Sequence, residues 1–195
     1  DRLKGTTSSF ECPAVGATGN MAMAAVTAKG TTIIENSARE PEIVQLCESL
    51  NAMGASIKGI WTTRIIIDGV DSLHTANTEV IPDRIEAGTF LAAGAMLGEI
   101  TLTGVLPSHL NTVLLKLKEA GSEIKTTSDS VTITPADSLN AVDMTTAVYP
   151  GFATDLQAQW VALMSIANGS SMITDTVYHY RFSHFPEQNS FGANI

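Results

Sequence analysis

Cationic side chains are scarce in this 195-residue sequence, where 11 Lys and Arg face 20 Asp and Glu for a formal net charge of −9. Nucleic acids and anionic membrane surfaces are bound by clustered Lys and Arg, so this balance argues against both as partners. An anionic small molecule, which needs only a few well-placed cations, stays within reach. Cysteine is nearly absent: Cys12 and Cys47 lie far apart without metal-ligand spacing. The four histidines, His74, His109, His179 and His184, form no paired ligand motif, so no metal site is expected. Such cysteine usage suits a reducing cytoplasm. No stretch approaches the roughly 18 apolar residues of a membrane span, and no signal-peptide pattern is present. Aromatics supply only 6% of the residues, which leaves Ala, Ile, Val and Leu to fill a core.

What is present is repetition. Gly30-Thr-Thr-Ile-Ile-Glu-Asn36, Gly98-Glu-Ile-Thr-Leu-Thr-Gly104 and Gly169-Ser-Ser-Met-Ile-Thr-Asp175 read as equivalent strands, and they recur about every 70 residues. Met53-Gly-Ala-Ser-Ile57, Ala120-Gly-Ser-Glu-Ile124 and Phe191-Gly-Ala-Asn-Ile195 share that period. Each unit opens with a helix rich in small residues, at 20–28, 85–97 and 155–167, suited to close packing in a core. A strand follows, then an amphipathic helix begun by Pro41 or Pro107 and ended by Gly54 or Gly121. Two more strands close the unit, at 56–58 with 64–68 and at 123–126 with 130–134. The expected class is α/β (α+β), built from units of α-β-α-β-β order. The third unit has a short second helix near 186–191 and reaches Ile195 where a strand should begin. With Asp1 rather than Met at the start, the expectation is a partial chain.

Asp155 is the candidate for chemistry. It follows the Tyr149-Pro-Gly-Phe-Ala loop, and Thr154 with Gln157 reads as a capping box that puts Asp155 at the first helical position. Local chemistry leaves two readings open: a carboxylate held for a substrate, or an acid that complements the helix dipole. Val15 and Gly16 lie in a Gly-containing loop before a small-residue helix, where backbone N–H groups can meet phosphate. Arg84 and Glu86 read as a local ion pair at a helix start.

Four strings, Pro82-Asp-Arg-Ile-Glu-Ala-Gly-Thr-Phe90, Gly30-Thr-Thr-Ile-Ile-Glu-Asn-Ser-Ala-Arg-Glu-Pro-Glu42, Phe152-Ala-Thr-Asp-Leu-Gln-Ala-Gln159 and Arg181-Phe-Ser-His184, together resemble the UDP-N-acetylglucosamine enolpyruvyl transferase family. The resemblance is collinear from Arg2 to Ile195 and covers part of that enzyme. It implies an inside-out α/β barrel, with helices inside and sheets outside, here as three units with the third truncated. Residues 1–81 would be the last unit of the UDP-sugar-side domain, and 82–195 the first two units of the second domain, the latter incomplete. The implied partners are UDP-N-acetylglucosamine and phosphoenolpyruvate as substrates, bound between the domains, together with the missing segments of the parent chain; no cofactor is implied.

In the reaction the resemblance implies, the 3-hydroxyl of the UDP-sugar adds to C2 of phosphoenolpyruvate, C3 is protonated and phosphate leaves. Asp155 matches the carboxylate that meets the sugar hydroxyl. Val15 and Gly16 match backbone lining the UDP-sugar, Val177 a contact to the acetamido sugar, and Arg181 an arginine near the cleft. Cys12 and Ala14 depart from the Lys and Ser common at those positions. The acid-bearing loop and the cations for phosphoenolpyruvate match no segment here, so the chain by itself is expected to be inactive. Two other readings stay open: an enolpyruvylshikimate phosphate synthase-like enzyme, and a noncatalytic binding or structural module on the same scaffold.

Overall fold

Pro41 fixes φ at the first position of an amphipathic helix and Gly54 takes φ +96° just past its end; between them Ile43, Val44, Cys47 and Leu50 form one buried stripe. This start and stop set the pattern of the computed structural model, which describes residues 1–195. The chain divides into two compact units, Asp1–Ile81 and Pro82–Ile195, described in turn.

The first unit comprises β1 (Thr7–Ser9), α1 (Val15–Ala25), β2 (Thr31–Glu35), α2 (Pro41–Ala52), β3 (Ser56–Lys58) and β4 (Arg64–Asp68). Its sheet has the order β1-β2-β4-β3, with β1 parallel to β2 and the other pairs antiparallel. Alternation in the Ile-rich strands puts Ile34 opposite Ile65 and Thr32 opposite Ile67, all four turned inward. The two helices cover that face. Gly19 of α1 is buried against α2, and a Cβ there would meet Leu46 Cδ2 at an ordinary contact distance of 3.4 Å. The helix starts at Val15, upstream of the expected 20–28, and buries one face only, with Met23 exposed.

The second unit contains α3 (Arg84–Leu97), β5 (Ile100–Thr103), α4 (Asn111–Glu119), β6 (Glu123–Thr126), β7 (Ser130–Thr134), β8 (Met144–Thr145), α5 (Gln157–Met164), β9 (Ile173–Thr174) and α6 (Phe185–Ser190). Pro107 opens a 3-10 turn ahead of α4 rather than α4 itself. The antiparallel sheet β5-β7-β6 repeats the order β2-β4-β3 of the first unit, and β8 pairs with β9 in parallel, as β1 does with β2. Burial of Leu91, Leu117, Ile133, Met144, Trp160 and Leu163 makes its core, where Phe152 meets Trp160 edge-on at 5.5 Å. Gly94 is required by packing: a Cβ there would lie 2.7 Å from side-chain carbons of Ile100 and Ile133.

One helix ending recurs three times. Gly54, Gly121 and Gly192 all adopt positive φ, and the next amide in each case reaches back five residues: Ala55 N–H to Leu50 O at 3.0 Å, Ser122 to Leu117 at 3.1 Å, and Ala193 to Gln188 at 3.2 Å. This Schellman geometry satisfies carbonyls at a helix end and favours glycine. No helix is long and apolar enough to cross a membrane.

Candidate functional site

In the second unit the loop before α5 is held by hydrogen bonds to its main chain: Thr112 Oγ1 donates to Pro150 O at 2.6 Å, Gly151 N–H to Val148 O at 2.9 Å and Ala147 N–H to Phe152 O at 2.9 Å. Phe152 then plunges into the core, and the chain enters a 3-10 turn, Thr154–Leu156, with Ala153 at its cap position. This corrects the expected capping box. The α-helix proper begins at Gln157, so Asp155 is the second residue of the 3-10 turn and not the first of the helix. The Thr154 hydroxyl caps nothing in its own turn; it donates to Asp175 Oδ2 at 2.6 Å. Gln157 turns inward and is fully buried, with neither amide atom of its side chain hydrogen-bonded.

Asp155 stays half exposed, and its Oδ1 accepts from Arg181 Nη1 at 2.7 Å. The same Nη1 donates to Thr154 Oγ1 at 3.2 Å, while the guanidinium lies 5.9 Å from the ring centroid of Tyr178. Two residues 26 apart in sequence thus form one pair, where Asp155 brings a carboxylate and Arg181 a planar cation.

Asp175 was not singled out from the sequence, yet it organises this region. It is 5% exposed. Its Oδ1 accepts from Thr146 Oγ1 at 2.7 Å, Val177 N–H at 3.0 Å and Tyr178 N–H at 2.7 Å, and Oδ2 from Thr154. Burial by itself would raise the carboxyl pKa, but the hydrogen bonds from Thr154, Tyr178, Thr146 and Val177 together outweigh it and hold the group below the ordinary carboxylate range. An Asp at a strand end that accepts from amides two and three residues on is an Asx-type turn, a signal available in Asp175-Thr-Val-Tyr178. Val177 sits on that turn, 41% exposed.

Arg181 begins the Arg181-Phe-Ser-His184 string, whose His184 has a buried Nε2 and a pKa lowered by burial. At the start of the unit, Asp83 caps α3 through Oδ1, which accepts from Ile85 N–H at 2.7 Å and Glu86 N–H at 3.1 Å. Arg84 lies over the Tyr149 ring at 5.5 Å. The cavity beside this loop is only about 20 Å³, room for a water. An open groove of about 470 Å³ between α3 and β5, with Phe90 on its wall, contains none of the expected site residues.

Val15 and Gly16 belong to the first unit, at the exposed start of α1, which has no side-chain cap. A Cβ built on Gly16 would meet nothing within 4 Å. Cys12 is exposed, whereas Cys47 is buried and its thiol is pushed up to about 11, by burial first and by Glu48 second. Nowhere do three or more His, Cys, Asp or Glu side chains converge in a way that could hold a metal ion.

The class of protein follows from this fold. Over 98% of its length the chain is similar to 49% of the enolpyruvyl transferase NikO from Streptomyces tendae, with a TM-score of 0.85 at 25% identity. The fold is also similar to that of an EPSP synthase from Acinetobacter baumannii, with a TM-score of 0.60 at 19% identity over 88% of this chain and 41% of that one. The family model described as EPSP synthase (3-phosphoshikimate 1-carboxyvinyltransferase) matches residues 1–195, and the chain belongs to that family.

Its curated relatives carry a particular name within it. UDP-N-acetylglucosamine 1-carboxyvinyltransferase of Chlorobium luteolum is 55% identical over 195 residues, that of Bdellovibrio bacteriovorus is 52% identical, and UDP-N-acetylglucosamine 1-carboxyvinyltransferase 2 of Bacillus cereus is 47% identical. All of this chain is covered in each case, against 46%, 47% and 46% of the relatives. The chain spans about half the length of the curated relatives it matches.

Proposed function

We propose that this chain forms part of an enolpyruvyl transferase that moves the enolpyruvyl group of phosphoenolpyruvate to the 3-hydroxyl of UDP-N-acetylglucosamine, a step of peptidoglycan precursor synthesis in the cytoplasm. The single observation that carries the reading is the half-exposed Asp155 carboxylate, oriented by Arg181 at 2.7 Å in a turn anchored to a buried polar network. In this assignment Arg181 engages Oδ1, and Oδ2 accepts the proton as the sugar oxygen attacks. Val177 bears on the acetamido sugar from the adjoining turn. The backbone of Val15 and Gly16, with open space beside Gly16, meets the UDP-sugar; Cys12 and Ala14 give that segment no cation and no hydroxyl. Relatives 47–55% identical to the chain favour the UDP-sugar over a shikimate phosphate as acceptor.

The same reading extends to architecture. The repeated sheet order and the three matching helix ends support successive β/α units of one inside-out barrel design: 1–81 as the last unit of the UDP-sugar-side domain, 82–195 as the first two units of the second domain. The general acid and the phosphoenolpyruvate cations then come from segments outside this chain.

A chimera tests the reading: the 195 residues replace the matching stretch of the Chlorobium luteolum relative, and phosphate release from the two substrates is followed. Asp155→Asn keeps the shape and removes the proton acceptor, so kcat should fall by about 10²- to 10⁴-fold with little change in UDP-sugar affinity. A near-normal kcat would leave Asp155 as a turn charge only.

A further inference from the structure

Asp175 is a buried charged group that the proposed reaction does not use, and the way its donors divide between its oxygens defines a direction. Oδ1 is taken by Thr146 and by the two amides of the 177–178 turn. Oδ2 has the Thr154 hydroxyl at 2.6 Å. A carboxylate accepts only, so the Thr154 proton points to Asp175 and the hydroxyl lone pairs point away. One of them meets Arg181 Nη1 at 3.2 Å, and that nitrogen uses its other hydrogen on Asp155 Oδ1 at 2.7 Å. Every bond from Asp175 to Asp155 thus has a fixed donor and a fixed acceptor.

We propose that Asp175 is a positioning residue: by taking the Thr154 proton it fixes a relay, Asp175 to Thr154 to Arg181, that holds the guanidinium against Asp155. The pair it holds is half exposed, with side chains 40% and 52% accessible for Arg181 and Asp155. On its own such a pair leaves long side chains free to move. The Thr154 contact is the second anchor on the same nitrogen and is itself pinned by a buried charge. Asp175 also shapes the turn that carries Val177, so two expected substrate contacts depend on one carboxylate. What this implies for turnover rests on the proposed transferase reading; the relay itself does not.

The substitution Asp175→Asn separates the two roles. Three donors converge on Oδ1, so the Asn oxygen keeps that side and its NH2 must face Thr154. Thr154 then lies between two donors; its oxygen has a lone pair for each, but its proton has lost the Asp175 acceptor that fixed where those lone pairs point. In the 195-residue chain, 15N spectra of the arginine side chains should show Arg181 Nη groups with hindered rotation. That hindrance should be lost in Asp175→Asn, lost equally in Thr154→Val and retained in Thr154→Ser. Thr154→Val is an independent arm should Asp175→Asn unfold. Unchanged Arg181 signals in either variant that folds would overturn the relay.

In the chimera, Asp175→Asn should lower kcat about tenfold through misplacement of the pair, and should lower it no further once Thr154 is Val. An equal loss with and without the Thr154 hydroxyl would also overturn it, since Asp175 would then act only by shaping the 175–178 turn. Failure of the transferase reading looks different: Asp155→Asn would retain normal kcat, or the parent chimera would not turn over, while the spectra still decide the relay.

Discussion

Gly88 of α3 faces Leu156 so closely that a Cβ added to the glycine would lie 2.5 Å from Leu156 Cδ1. Leu156 is 3% exposed and follows Asp155 directly in the 3-10 turn. A helix surface without side-chain bulk is therefore what lets the candidate carboxylate approach its scaffold.

The first prediction follows from that contact. Gly to Ala in a helix interior ordinarily gains about 1 kcal/mol, but here the new methyl must displace a buried side chain, and overpacking costs about 1–3 kcal/mol. Gly88→Ala should therefore give net destabilisation in urea unfolding of the 195-residue chain, with the Asp155 turn displaced. Gly16→Ala, where a Cβ meets nothing, is the control and should be neutral or stabilising. A stabilised Gly88→Ala would mean that Leu156 has room to move.

The second concerns acid. Asp175 has a folded-state pKa below its ordinary value, so the unfolded chain binds its proton first as pH falls, and the stability it contributes is present above about pH 4 and lost on further acidification. Asp68 shifts in the same direction, through hydrogen bonds from Thr31 and Lys58, so the Asp175 share must be read as a difference. The stability gap between the parent chain and Asp175→Asn, measured by denaturant unfolding, should be widest near neutral pH and narrow below pH 4. A gap that does not change with pH would assign the effect to packing.

Much of the fold was legible because its signals are local. Pro41 and Gly54 bound α2, and the recurring Gly30-Thr-Thr-Ile-Ile-Glu-Asn36 string marks β2. The strands β1 and β8, with 3 and 2 residues, are too short to show alternation and form by pairing with β2 and β9. At the site the failure was of range. Thr154 and Gln157 have the composition of a capping box, but the hydroxyl is claimed by Asp175, 21 residues away, and Gln157 turns inward. Asp83 with Glu86 holds the same kind of signal, and there the local cap forms. Asp155 and Arg181 could each be named from a resemblance, but no local pattern pairs them.

The third prediction uses Gln157. Its side-chain amide is fully buried with no hydrogen-bond partner, and a buried unsatisfied polar group costs about 1–3 kcal/mol. Gln157→Met keeps the length and removes both polar atoms, so it should stabilise the isolated chain by about 1 kcal/mol, seen as a higher thermal midpoint. Destabilisation would show that the amide has a partner in solution, such as a buried water.

The last prediction separates what Arg181 does for stability from what it does for the site. The Asp155 pair is half exposed, and pairs of that kind contribute about 0–1 kcal/mol. Arg181→Ala should therefore shift the urea midpoint of the 195-residue chain very little. In the chimera, by contrast, Asp155 would lose the group that orients it, and misplacement near a reacting atom can cost on the order of 10²-fold in rate. Arg181→Lys retains the charge and one donor nitrogen but loses the planar group that lies against Tyr178 and fixes the directions of the Nη1 hydrogens toward Thr154 and Asp155. It should recover the stability of the parent chain and only part of its kcat. Equal losses of stability and of turnover in Arg181→Ala would make this arginine a scaffold residue, and full turnover in Arg181→Lys would reduce its role to charge alone.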